Sequence, residues 1–355
     1  MGLQVLPNIY VPTFDMAVNY VPLPLPIAKQ VISISVTQHL DPPNSFRFRL
    51  NDPKLILADP QTGLFTEGTR VDISMGFVSN TRKLIVGEIT ALTADFPNSG
   101  PSTLEVEGMD LLNRLSRGTV YRRFDGPDPS SGLSDDEIVT QIASEMNLLP
   151  DVDPTGPRAE ARVQSNVSNL ALVKQLADLD GYYLWADGDT LHFKQQRPAP
   201  TSISLEWGKT LMSFSPRLTT AGQVQSVEVR GWDPVQKQSF SVTVQRPGGP
   251  TSGLSASGQS QLTMGSGGQS KLLVTDAKVA SAQEAQDYAQ AILTNQQQTM
   301  ITGSGTSVGQ PDMQVGTQLD LRGVGRFSGT YTVQQATHTI NAGGYQTSFE
   351  VRRQS

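Results

Sequence analysis

The sequence predicts a mainly β protein with an α/β insert, in which two similar β-barrels flank a small mixed α/β domain. Three observations predict it. Apolar residues recur with period 2 over most of the chain. The period turns helical at only three places, near residues 134–146, 169–180 and 281–293. A strand-and-turn pattern from the first hundred residues returns near the end. Composition agrees: 37% hydrophobic and 17% charged residues with 32 glycines describe a turn-rich chain with neutral polar faces. A length of 355 residues favours two or three domains over one.

Residues 1–30 carry Pro7, Pro12, Pro22, Pro24 and Pro26 and read as an extended arm with one edge strand. Val31–Val36 alternates as a strand, residues 41–44 are a Pro-rich turn, and Phe46-Arg-Phe-Arg-Leu50 has the alternation of a half-buried strand. Arg70–Met75, Leu84–Ala94 and Thr103–Glu107 continue the pattern.

The period then changes. Ser134-Asp-Asp-Glu137 is a capping box, followed by Ile138, Val139, Ile142, Ala143 and Met146 at helical spacing. A second helix is predicted from Asn169 to Asp180, with Gly181 at the position where a left-handed residue ends a helix. Tyr182–Ala186 and Thr190–Lys194 around Asp187-Gly188-Asp189 predict a β-hairpin. Strands resume near Ile203, Val224 and Ser239. Residues 247–270 are Gly, Ser, Gln and Pro, the composition of a mobile loop. A second capping box, Ser281-Ala-Gln-Glu284, opens a third helix, and final strands are expected near 299–303, 317–322, 330–340 and 346–352.

Gly68-Thr-Arg-Val-Asp-Ile73 matches Gly316-Thr-Gln-Leu-Asp-Leu321. Each is followed by a long strand, a turn of small residues and a closing strand. The hairpin at Ser35-Val36, Asp41-Pro42 and Ser45-Phe46 is matched with Ser226-Val227, Asp233-Pro234 and Ser239-Phe240. A duplication accounts for all three; the alternative is two unrelated β regions with common turn chemistry. The expected domains are therefore an arm (1–30), a first barrel (31–108), a mixed α/β domain (109–221), a second barrel (222–246 and 299–355), and a Gly/Ser-rich insertion with its helix (247–298).

Composition also excludes functions. A net charge of −6 and no basic cluster beyond pairs such as Arg122-Arg123 and Arg352-Arg353 argue against direct nucleic-acid binding. The absence of cysteine excludes disulfides and thiolate metal sites. No apolar run approaches the ~20 residues of a membrane span, and Met1–Tyr10 lacks the pattern of a signal peptide.

Gly305-Thr-Ser-Val-Gly309 fits G-x-S-x-G, with Asp312 or Asp320 and then His338 in the order of an α/β-hydrolase triad. No strand–turn–helix elbow is expected there, so the segment reads as a Gly-rich loop and no residue is assigned as catalytic. His39, His192 and His338 lack metal-pair spacing, and Asp187-Gly-Asp189 lacks the ligand series of a calcium loop. No metal-binding or cofactor-binding residue and no cofactor is expected. Gly323 and Gly325 lack a dinucleotide-site context, and Asn166-Val-Ser168 is a sequon relevant only to a secreted eukaryotic chain.

The segment Val163–Phe193, with its strand, helix and Asp-Gly hairpin, resembles a signature of the phage late control D family. The amino-terminal half of the valine-glycine-repeat spike proteins of type VI secretion carries the same signature. Ser134–Met146 and Ala221–Pro234 resemble further segments of that family. The resemblance implies a hub of a contractile phage tail or tail-like injection system: a homotrimer with two tube-like β-barrel domains per chain that joins a six-fold tail tube to a three-fold spike. It implies as partners the tail tube protein, a spike protein and baseplate components. It places the chain in a virion tail or tail-like particle assembled in the bacterial cytoplasm. Because the sequence runs only to Ser355, the spike is expected to be a separate chain. The competing readings are a tail-tip glycan- or receptor-binding β protein and a hydrolase using Ser307.

Overall fold

The computed structural model describes residues 11–353 except 42, 55, 58, 60–62, 79, 127–130, 158–159, 198–201, 220–223, 225, 234–235, 246–270, 276–278, 280 and 299. The expected loop at 247–270 and the first ten residues of the arm lie outside the described residues. The described strands are β1 (Pro12–Val18), β2 (Val21–Pro22), β3 (Val31–His39), β4 (Ser45–Asn51), β5 (Arg70–Phe77), β6 (Asn80–Asp95) and β7 (Thr103–Asp110). Then come β8 (Val120–Phe124), β9 (Leu149–Val152), β10 (Arg162–Val167), β11 (Tyr183–Asp187), β12 (Thr190–Lys194), β13 (Ile203–Glu206) and β14 (Leu211–Leu218). The last are β15 (Ser226–Asp233), β16 (Gln238–Gln245), β17 (Lys271–Val274), β18 (Ile301–Val308), β19 (Gln318–Arg322), β20 (Gly329–Asn341) and β21 (Gly344–Arg353).

The period-2 pattern is realised as one buried face and one open face. β3 buries Ile34, Val36 and Gln38, and β4 buries Phe46, Phe48 and Leu50, while Ser35, Thr37, Arg47 and Arg49 point the other way. Each fully buried side chain of this size contributes about 2 kcal/mol, so the alternation fixes which face packs. Phe48 stacks on Phe46 at 6.1 Å and meets Phe65 edge-on at 5.1 Å.

Thirteen strands form one sheet. Its order is β14-β18-β21-β20-β3-β4-β7-β6-β5-β1-β2, with β19 also on β20 and β13 on β19. Two halves share one plan. In the first, hydrogen bonding runs β3-β4-β7-β6-β5-β1; in the second it runs β14-β18-β21-β20-β19-β13. The registers correspond pair by pair: Thr37↔Ser45 with Arg217↔Thr302, Arg70↔Glu88 with Gln318↔Thr332, and Glu88↔Met109 with Thr332↔Arg352. Irregularities recur too, between Val31 and Ser33 as between Leu211 and Ser213, and between Ile89 and Ala91 as between Val333 and Gln335. Gly68 and Gly316 have φ of +80° and +85°. Their N–H groups donate to Ile89 O and Val333 O, each at 2.8 Å. One strand differs: β1 is antiparallel to β5, whereas β13 is parallel to β19.

Three expectations are corrected. The second half does not contain 222–246: β15 and β16 pair with β17 in a separate three-stranded sheet covered by helix Ala282–Gln298 through Ala285, Ala289 and Leu293. Its place is taken by β13 and β14, which the sequence reading put in the 109–221 domain; Leu205 and Leu211 belong to the second-half core. Nor are there two closed barrels. β3 bonds to β20 instead of closing on β1, so the halves form one open sheet among the described residues.

The mixed α/β unit packs around Ile138, Val139, Ile142, Leu170, Val173, Leu176, Leu191 and Phe193. Ser134 N donates to Glu137 Oε2 at 2.9 Å, closing the capping box of helix Asp135–Glu145. Gly181, at φ +68°, ends helix Asn169–Asp180. The third helix starts at Ser281, whose Oγ accepts from Glu284 N at 3.2 Å.

Candidate functional site

The feature that stands out is the large sheet itself: its open face and its two unfinished edges. On this face, across eight adjacent strands from β14 to β6, β4 and β7 carry Arg47, Arg49, Glu105 and Glu107, whereas on β14, β18, β20 and β3 many of the side chains opposite the core are short and hydroxylic. They include Ser213 and Ser215, Ser304 and Thr306, Thr337 and Thr339, and Ser35 and Thr37. Several pair across strands: Ser35 Oγ with Thr339 Oγ1 at 3.3 Å, Thr37 Oγ1 with Thr337 Oγ1 at 3.2 Å, and Ser213 Oγ with Thr306 Oγ1 at 2.6 Å. Some charges on this face are paired, as Arg47 with Glu105 at 3.6 Å and Arg49 with Asp95 at 3.0 Å. Such a face is polar and wettable.

The sheet ends differently on its two sides. β14 pairs only with β18 over residues 213–218. β6 pairs with β5 through residues 80–88, but its stretch from Ala91 to Asp95 pairs only with β7. Both flanks lack a strand partner among the described residues.

The hydrolase candidates do not assemble. Ser307 lies near the end of β18, paired with both Leu211 and Thr347, and its buried hydroxyl donates to Thr347 O at 3.4 Å. The 305–308 stretch is therefore strand, where a loop was expected. Glycine suits it because a Cβ on Gly305 would lie 2.7 Å from the Phe349 ring, and one on Gly303 2.6 Å from Phe214. Asp312 is held by Arg82 at 2.5 Å and Asp320 by Arg322 at 2.7 Å.

His338 is fully buried. Its Nε2–H donates to Met313 O at 2.9 Å, leaving Nδ1 to accept from Tyr345 Oη at 2.8 Å. Burial holds its pKa down at about 4 and pushes the Tyr345 phenol up. It is thus a neutral structural histidine with both nitrogens committed. His192 stacks on Trp185 at 4.6 Å and bonds Asp151 at 2.7 Å. His39 is on β3 beside a cleft of about 570 Å³ lined also by Asp41, Lys174, Asp178 and Arg352. Among the described residues no cluster of three or more metal-ligating side chains exists, and no helix is long and apolar enough to cross a membrane.

Asp189, in the turn of the predicted hairpin, pairs with Arg70 of β5. Arg70 also binds Asp72 at 3.0 Å and covers the Tyr20 ring at 4.4 Å. The α/β unit is thereby tied to the first half of the sheet. Sequence reasoning missed this role for Asp189, because its partner is 119 residues away.

This architecture is the fold of phage tail proteins. It is similar to the prophage MuSo2 43 kDa tail protein from Shewanella oneidensis, with a TM-score of 0.71 and 13% identity, covering 96% of this chain and 98% of that one. It is similar to the tail protein of Neisseria meningitidis MC58, with a TM-score of 0.67 and 12% identity over 97% of each chain. It is also similar to an Escherichia coli component of the type VI secretion system, with a TM-score of 0.60 and 12% identity, covering 96% of this chain and 77% of that one. The likeness to phage tail proteins implied by the Val163–Phe193 resemblance is thus found in the fold, without the two closed barrels it also implied. The chain belongs to the family described as the Alg8 N-terminal domain, whose model matches residues 13–342. No curated protein sequence matches the chain significantly.

Proposed function

We propose that this chain is the structural hub of a contractile phage tail or tail-like injection system: a homotrimer that adapts the six-fold tail tube to a three-fold spike. The observation that carries the proposal is the duplicated sheet, whose halves share strand order, register and irregular positions. A chain with two near-equivalent faces supplies six such faces from three copies, while its other parts keep three-fold symmetry. The two halves play the part of the two tube-like barrels. The tail tube protein stacks on the pseudo-six-fold end. The spike and baseplate components bind elsewhere on the trimer, and the particle assembles in the bacterial cytoplasm.

The hydroxyl-rich face is the wall we assign to the channel. Short neutral hydroxyls offer passing polypeptide few apolar contacts, and a chain charge of −6 disfavours adhesion of acidic cargo.

Cryo-electron microscopy or native mass spectrometry of the assembled particle tests the proposal, and three copies per tail are expected. Six copies in a true six-fold ring, or a stable monomer that binds glycans in the presence of tube and spike, would overturn it.

A further inference from the structure

We infer that residues 91–96 at the end of β6 pair, antiparallel and in one defined register, with residues 214–218 of β14 from a second copy of this chain. The inference rests on the trimer proposed above and deepens it by naming the contact. Its template lies within the chain. Where the halves meet, β20 pairs with β3: Ala336↔Gln38, Thr337↔Thr37, His338↔Val36, Thr339↔Ser35 and Ile340↔Ile34. The duplicated registers make β6 the counterpart of β20 and β14 the counterpart of β3. Those counterparts are the two flanks without a strand partner. Transferring the template gives Leu92 opposite Leu218, Thr93 opposite Arg217, Ala94 opposite Pro216, Asp95 opposite Ser215 and Phe96 opposite Phe214.

The side chains fit this register on both faces, although the template alone did not require it. On the core side every pair is apolar. Leu92 lies at the rim of the first-half core, Phe214 and Leu218 lie at the rim of the second-half core, and Phe96 is 65% exposed. Pairing would bury these side chains and join the cores of neighbouring chains. On the open side every pair is polar. Arg217 is exposed and, among the described residues, has no carboxylate partner; in this register it lies diagonal to Asp95, within reach of a long side chain. A slip of one residue would set apolar against polar throughout.

Pro216 is compatible with this arrangement. Leu40 N donates to Gln334 O at 2.8 Å, so backbone groups of alternate residues, Val36 among them, face the partner strand. The Pro216 nitrogen therefore faces the open flank, where proline is tolerated in a sheet. The contact has one ladder bond fewer than the template, and the gap discourages indiscriminate edge pairing.

The chain has no cysteine, so cross-linking can be read without background. Thr93 and Arg217 fall at a non-hydrogen-bonded pair, where Cα atoms lie about 4.5 Å apart, within disulfide range. The full chain carrying Thr93→Cys and Arg217→Cys, assembled with tube and spike, should convert on mild oxidation from monomer to covalent trimer on a non-reducing gel. Asp95→Cys with Ser215→Cys provides a second in-register pair should the first fail to fold. Thr93→Cys with Leu218→Cys, on opposite faces, should stay monomeric on the gel. Native mass showing a trimer in which neither in-register pair cross-links, or only the off-register pair does, overturns the pairing but leaves the adaptor standing. A chain that remains monomeric beside tube and spike overturns both.

Discussion

Thr37 and Thr337 share a side-chain hydrogen bond of 3.2 Å although 300 positions separate them. They sit at the seam where β3 and β20 turn two repeats into one sheet. Beneath the seam, Tyr345 of the second half packs in the first-half core against Phe77 at 5.5 Å and accommodates His338 on its other side. The seam is therefore polar above, apolar below and continuous with both cores.

Gly68→Ala and Gly316→Ala should each cost about 1–2 kcal/mol, the penalty of a Cβ at positive φ. No atom crowds a Cβ at Gly68, so its cost is the backbone term alone. Urea titrations should show lower midpoints with an unchanged slope, and the double variant should be close to additive. A neutral Gly68→Ala would show that the backbone there can relax.

His338 and Asp110 should push the acid stability of the chain in opposite directions. His338 is held down at about 4 by burial, below the ordinary imidazole value, so the unfolded chain binds its proton first. Its contribution is present above the ordinary value and is lost as pH falls towards 4. Asp110 is raised by burial to about 6 while capping Asn44 N and Leu112 N. Its contribution is present at low pH and is lost as pH rises through 6. Each amounts to roughly 3 kcal/mol over its window. Between pH 4.5 and 6, His338→Phe should make stability fall with pH relative to the parent, and Asp110→Asn should make it rise. Parallel curves for all three proteins would contradict these assignments.

The Arg70–Asp189 pair should hold the α/β unit on the sheet. Arg70 is largely buried and Asp189 partly exposed, so Asp189→Asn should cost about 1 kcal/mol. Arg70→Ala should cost about twice that, because it also strips the contacts with Asp72 and Tyr20. Hydrogen exchange should rise in the β11–β12 hairpin of either variant. A double-mutant cycle with no coupling would place the tie elsewhere.

Ser307→Ala should leave particle assembly intact and cost about 1 kcal/mol of stability, the loss of one buried hydrogen bond. Ester hydrolysis by the parent chain that disappears in this variant would revive the hydrolase reading.

What the sequence determined by itself was local. Alternation placed β3 to β7 and β19 to β21, capping chemistry placed the helix starts at Ser134 and Ser281, and Gly181 placed a helix end. Gly68 and Gly316 revealed the repeat because a positive φ admits few residues. What tertiary structure decided was partnership. β13–β14 and β15–β16 alternate alike, and only the burial of Leu205 and Leu211 in one core and of Val227 and Val229 in another separates them. The β3–β20 seam, the neutral burial of His338 and the unpaired flanks of β6 and β14 are likewise invisible in one dimension. A strand's pattern says that one face must be covered; it carries no term for which distant strand will meet its edge.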